Sequence, residues 1–144
     1  INVNAYIGNE YISSENQRIE MYKKIASIQD EQDVLDVEDE LMDRYGELPQ
    51  PVRNLISIAY IKSLAAKIGF SAITEKNGSV LFQFSSVKQP DVKVIFAVAA
   101  RYKRQLLFNA GNEPHLVYRI SGMEREKLLD NIKILLHDIK SFEV

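Results

Sequence analysis

The side chains whose types and spacing bear on chemistry in this chain are acidic before anything else. Asp33, Asp36, Glu40 and Asp43 recur three or four residues apart, the spacing that stacks side chains in one row along a helix. Carboxylates so placed can serve hydrolysis, meet a basic partner, or face solvent. Hydrolysis has the least support, because no metal partner and no sign of a cleft accompanies them. Like charges at this spacing repel by a few tenths of a kcal/mol per pair in an isolated helix, a penalty that interleaved lysines would have removed. On the residues alone the stripe reads as a solvated face, with a docking surface for a basic partner as the competing reading.

The other candidates are sparser. Arg101-Tyr102-Lys103-Arg104 is the one compact basic run; Arg101, Lys103 and Arg104 with an aromatic among them can touch a nucleic-acid backbone, or simply complement the dipole of a helix end. The second use is the expected one. Arg18, Lys23 and Lys24 share a helix with Glu15 and Glu20, so surface pairing accounts for them. His115 and His137 fall in different elements without metal-ligand spacing. Ser13, Ser14 and Ser121 are placed as helix caps rather than in a Gly-x-Ser-x-Gly elbow. The six glycines are scattered at turns and no Gly-Lys-Ser or Gly-Lys-Thr occurs, which leaves no phosphate cradle. No catalytic residue, metal or cofactor is expected.

Bulk properties narrow the class further. A length of 144 residues suits a single domain spanning 1–144, and 46% hydrophobic with 26% charged residues is ordinary for a folded protein. The absence of cysteine fits a reducing, cytoplasmic setting. No apolar run reaches the roughly 20 residues of a membrane-spanning helix. A formal net charge of -2 argues against nucleic acid as a primary partner. The chain begins at Ile1 rather than methionine, which fits a piece of a longer polypeptide.

The elements that must position these residues follow from period and punctuation. Residues 1–12 are expected to form an extended leading segment, with Val3 to Ile7 as a short strand or arm ended by Gly8-Asn9. Ser14 and Gln17 make a capping box for a first helix carrying Ile19, Tyr22, Ile25 and Ala26. Asp30 or Asp33 caps a second, with Val34, Val37, Leu41 and Tyr45 on one face and Gly46 as a left-handed terminator. Pro51 opens a third, apolar nearly all round and hence central, which runs to Gly69. Ala72 to Lys76 and Val80 to Phe84 flank Asn77-Gly78, a type I′ hairpin. The segment after Pro90 fits strand or helix, and helix is the reading taken. Leu106 to Asn109 and Leu116 to Ile120 form a second hairpin. Ser121 and Glu124 make a capping box for a last helix striped by Leu128, Ile132, Leu135, Ile139 and Phe142. The class is α+β: three N-terminal helices, then two β-hairpins in a small antiparallel sheet, separated by a helix and followed by a C-terminal helix.

At Glu40-Leu41-Met42-Asp43-Arg44-Tyr45-Gly46-Glu47-Leu48-Pro49 the chain resembles the C-terminal domain of bacterial transcription-repair coupling factors. The resemblance continues through Ala5-Tyr6-Ile7, Glu10-Tyr11-Ile12, Gln17 to Lys24, and Ala65-Ala66-Lys67-Ile68-Gly69, about the first half of the chain. Gly8 stands where the family usually has proline, and Tyr45 replaces a common phenylalanine. The resemblance implies a parent that is an ATP-driven translocase on double-stranded DNA, dislodging stalled RNA polymerase and recruiting UvrA. It further implies that this domain is an autoinhibitory clamp, docked on a UvrB-like N-terminal domain so as to mask UvrA binding. The family's acidic contacts fall on Glu40 and Asp43, with Asp36 and Asp33 in the same stripe, and docking then becomes the preferred reading. Arg44 is expected to cap the last helical carbonyls, and Gly46 to end the helix. The alternative is an adaptor touching DNA or RNA polymerase through Arg101, Lys103 and Arg104.

Overall fold

The computed structural model describes residues 1–142, which form two compact units, one of Val3–Leu64 and one of Ile1–Asn2 with the chain from Ala65 onward. In the first unit α1 (Glu15–Ala26) begins where the Ser14 hydroxyl accepts the Gln17 N–H. Its inward face is Met21 and Ile25, while Ile19 and Tyr22 remain 46% and 38% exposed. The expected face is thus rotated: positions 21, 25 and 28 share helical spacing as well as 19 and 22 do, and packing chose the former. Asp30 caps α2 (Glu31–Tyr45) by accepting the Asp33 N–H at 2.8 Å, and Asp33 in return accepts the Gln29 N–H at 2.9 Å. Val37 and Leu41 are buried in this unit. Gly46 ends α2 with φ +88° and ψ -164°, a region beyond the left-handed helix that is essentially restricted to glycine. The Tyr11 hydroxyl donates to the Gly46 and Leu41 carbonyls at 2.8 and 3.2 Å, taking the capping duty expected of Arg44. Pro51 sits in the first turn of α3 (Gln50–Ile68), whose last turn belongs to the second unit. Val3 to Ile7 form no strand; Ile7 and Ile12 are buried, and the Ile7 N–H donates to the Tyr22 hydroxyl.

The second unit is built on a four-stranded antiparallel sheet of β1 (Phe70–Lys76), β2 (Ser79–Phe84), β3 (Leu106–Asn109) and β4 (His115–Arg119), ordered β1-β2-β4-β3. Asn77 and Gly78 both have positive φ, 49° and 75°, as the tight hairpin turn requires. Alternation along β2 buries Val80, Phe82 and Phe84, and Leu116 and Tyr118 along β4. The ambiguous segment is the helix α4 (Val92–Tyr102): Asp91 accepts the Lys93 N–H, and Ile95 and Val98 are fully buried. A 3-10 turn, Lys103–Gln105, leads into β3. The last helix, α5, spans Arg125–Ser141 and buries Leu128, Leu129, Ile132, Leu135, Leu136 and Ile139. Ser121 does not cap it. Gly122, at φ +82°, turns the chain beside the hairpin, Met123 N–H donates to the Ile120 carbonyl, and Glu124 takes the N-cap position without a side-chain bond. Phe142 lies just past the helix as its C-cap. The architecture is α+β in the expected element order.

Candidate docking face of the second helix

With Val37 and Leu41 turned inward, helical geometry fixes what α2 shows to solvent. Glu40 sits at the border of that face, and its carboxylate accepts from Lys24 Nζ at 2.7 Å and Arg44 Nη1 at 2.9 Å. Glu20 completes the cluster, 3.4 Å from Lys24 and 3.8 Å from Arg44. One acid of the stripe therefore ties α1 to α2. The hydrogen bonds from Lys24 and then Arg44 hold the Glu40 carboxyl below its ordinary value, and Glu40 raises both cations in turn. Arg44 also lies over the Tyr45 ring, 5.0 Å from its centroid.

Its companions divide by role. Asp33 is occupied at the helix start, as described above, and Asp36 accepts from the Gln32 amide at 2.9 Å. Asp43 is exposed and makes no hydrogen bond or ion pair among the described residues. Asp39 is equally exposed and equally without such a partner, and it lies between Leu35 and Met42, which are 53% and 47% exposed. The outermost surface of α2 is consequently Leu35, Asp39 and Met42, flanked by Asp36 and Asp43. Sequence reasoning missed the first three. The signal was available, because Leu35 and Met42 are a heptad apart and fall off the face formed by Val34, Val37, Leu41 and Tyr45.

The remaining candidates lie apart from this face in the chain. Arg101 stacks its guanidinium 4.7 Å from the Phe142 ring centroid, while Lys103 and Arg104 are exposed in the 3-10 turn. The His115 ring bonds to the Glu113 carbonyl at 2.9 Å, and His137 lies within α5. Among the described residues no group of His, Asp and Glu is arranged to hold a metal, and no helix is long and apolar enough to cross a membrane. A groove of about 600 Å³ beside Tyr22, Ile25, Leu55, Ile58 and Lys62 is mostly apolar, with a single cation on its wall.

The sequence model of the TRCF domain family matches residues 1–95, two thirds of the chain and all of α2. The chain belongs to the TRCF domain family. It is 30% identical over 143 residues to the transcription-repair-coupling factor of Staphylococcus aureus and 29% identical over 142 residues to that of Staphylococcus epidermidis. Each alignment takes in 97% of this chain and 12% of the relative, so the chain spans about an eighth of the curated relatives it matches. A crystal structure of the C-terminal domain of transcription-repair coupling factor superposes with a TM-score of 0.83 at 26% identity, covering 97% of this chain and 89% of that one. The TRCF domain thus carries its acidic helix inside the matched region, with Glu40 to Pro49 running across the helix end.

Proposed function

We propose that this TRCF domain is a docking and restraining module, a single domain over residues 1–144 that catalyses nothing itself. Through the outer face of α2 it sits on a basic surface of the UvrB-like N-terminal domain of the same parent protein. Docked there, it masks the surface that binds UvrA and restrains a cytoplasmic, ATP-driven translocase on double-stranded DNA that removes stalled RNA polymerase in transcription-coupled repair. The observation that carries this reading is the exposure of Leu35 and Met42 among Asp36, Asp39 and Asp43. Apolar anchors ringed by like charge suit a partner that is itself apolar and basic. Glu40 supports the face from behind by fixing α2 on α1, and Asp43 contacts the partner directly.

The test is calorimetric titration of this chain against the isolated UvrB-like domain. Reversing Asp39 and Asp43 to lysine sets like charges across the interface, which costs several kcal/mol. Because one chain holds its partner at roughly millimolar effective concentration, a hundredfold loss of affinity suffices to open the clamp. The expected result is an unchanged circular dichroism spectrum, binding weakened at least ~100-fold, and raised UvrA binding and ATPase in the parent. A doubly reversed protein that still docks with wild-type affinity sinks the assignment.

A further inference from the structure

The basic run left over by this reading belongs to a larger surface. Between Asp91 and Glu113 the chain has no acidic residue, although it holds 20 in all, and that stretch carries Lys93, Arg101, Lys103 and Arg104. It comprises α4, the 3-10 turn and β3, which is an edge strand of the sheet. With Ile95 and Val98 buried, the outward row of α4 is Val92, Phe96 and Ala100, one turn apart, of which Val92 is 38% and Phe96 58% exposed. On β3, Leu107 is 41% exposed.

Phe96 is exposed but not loose. Its ring stands edge-on to Phe108 with centroids 5.4 Å apart, and Phe108 stacks at 5.1 Å on the buried Phe84. A rigid, half-exposed aromatic with apolar neighbours is the kind of side chain that anchors protein interfaces. Arg101 is exposed but drawn over the Phe142 ring, and Lys93, Lys103 and Arg104 are further exposed cations around the row. Asp91, the nearest acid before the row, is used as the cap of α4.

We infer that α4 and β3 form a second docking surface, whose occupant is an acidic protein segment bearing apolar side chains. Charge complementarity selects the acid: a partner carboxylate meets three cations here and no carboxylate on the helix itself. Nucleic acid suits the surface less well. Single strands stack successive bases on several exposed aromatics, whereas Phe70, Phe82, Phe84 and Tyr118 of this unit are buried, Tyr102, Phe108 and Phe142 are half-buried, and among its described residues Phe96 is the one exposed aromatic. This surface is distinct from the outer face of α2 and opposite to it in charge, so the inference holds whether or not α2 docks as proposed.

The experiment uses the full chain and three fluorescent probes: a helical peptide with leucines one turn apart among glutamates, the same peptide with lysines replacing the glutamates, and a single-stranded oligonucleotide. The glutamate peptide is expected to bind, with amide shifts confined to residues 92–109, and the other two are not. Phe96→Ser, and separately Lys103→Glu with Arg104→Glu, each weaken binding at least ~10-fold. The second variant leaves the Phe96 packing untouched, and an unchanged circular dichroism spectrum for it separates loss of binding from misfolding. Failure of the glutamate peptide to bind, shifts mapping elsewhere, equal binding of both peptides, preference for the oligonucleotide, or self-association through this face would each overturn the inference.

Discussion

Replacing Glu40 by glutamine removes the charge shared by Lys24 and Arg44 while keeping a side chain of the same size. The carboxylate is 32% exposed, so solvent screens the cluster and the loss should stay near 1 kcal/mol or below. Glu40→Lys adds a third cation to the pair and is expected to cost more. Urea midpoints should therefore fall in the order wild type, glutamine, lysine; equal midpoints for the two variants would remove the electrostatic role. Reversing Glu40 also disturbs the helix pair, and for that reason Asp39 and Asp43 are the cleaner probes of docking. Two glycines separate backbone strain from collision. Alanine at Gly46 meets nothing within 4 Å and carries only the conformational penalty, about 1–3 kcal/mol. At Gly69, φ is +122° and the new Cβ would lie 2.6 Å from the Lys88 carbonyl oxygen, so chemical denaturation should show the larger loss there.

At the scale of elements, caps discriminate between what spacing suggests and what folding uses. Asp30→Ala removes the acceptor for the Asp33 N–H and is expected to cost about 1 kcal/mol. Ser121→Ala should leave the stability of α5 unchanged, since that hydroxyl caps nothing; a loss equal to that of Asp30→Ala would restore the capping box. The Ser121-Glu124 spacing precedes an apolar period as a capping box does, yet Gly122 turns the chain between them and Glu124 takes the N-cap position. Most elements were legible where period and punctuation agreed, as at Asn77-Gly78 and along Val37 and Leu41. The segment after Pro90 was ambiguous by period alone, and the buried pair Ile95 and Val98 explains why helix prevailed. The acidic stripe was legible as a row of charges. Its division into Asp33 as acceptor for the Gln29 N–H, Glu40 as tie and Asp43 as free acid among the described residues was not, because the Lys24–Glu40 bond joins two helices and no spacing within either one encodes it. Leu35 and Met42 lie off the apolar face of α2, so spacing that marks buried positions does not select them.

For the molecule as a whole, ionisable groups set a plateau of stability with two edges. Glu40 in the first unit and Glu75 in the second both sit below the ordinary carboxylate value of 4.5, Glu75 through its bonds from Arg125 and the Asn2 N–H. A depressed acid contributes stability above its unfolded value and loses it as pH falls through the folded one. Tyr102 and Tyr118 sit above their ordinary value of 10, burial being the main cause for both, and Tyr102 donates to Asp138 at 2.5 Å. Their contribution is complete below 10 and is lost as pH rises through the raised values, because the unfolded chain ionises first. The two edges belong to different residues and can be removed separately. Glu75→Gln should flatten the dependence of the urea midpoint on pH between about 5 and 3 and leave the alkaline edge alone. Tyr102→Phe deletes the hydroxyl and should flatten the rise in instability above about pH 10 without touching the acid edge. The Glu75 side chain is only 5% exposed, so its effect should exceed that of Glu40→Gln measured over the same range. Parallel curves for wild type and Glu75→Gln through the acid range would show that the Glu75–Arg125 pair adds nothing to folding.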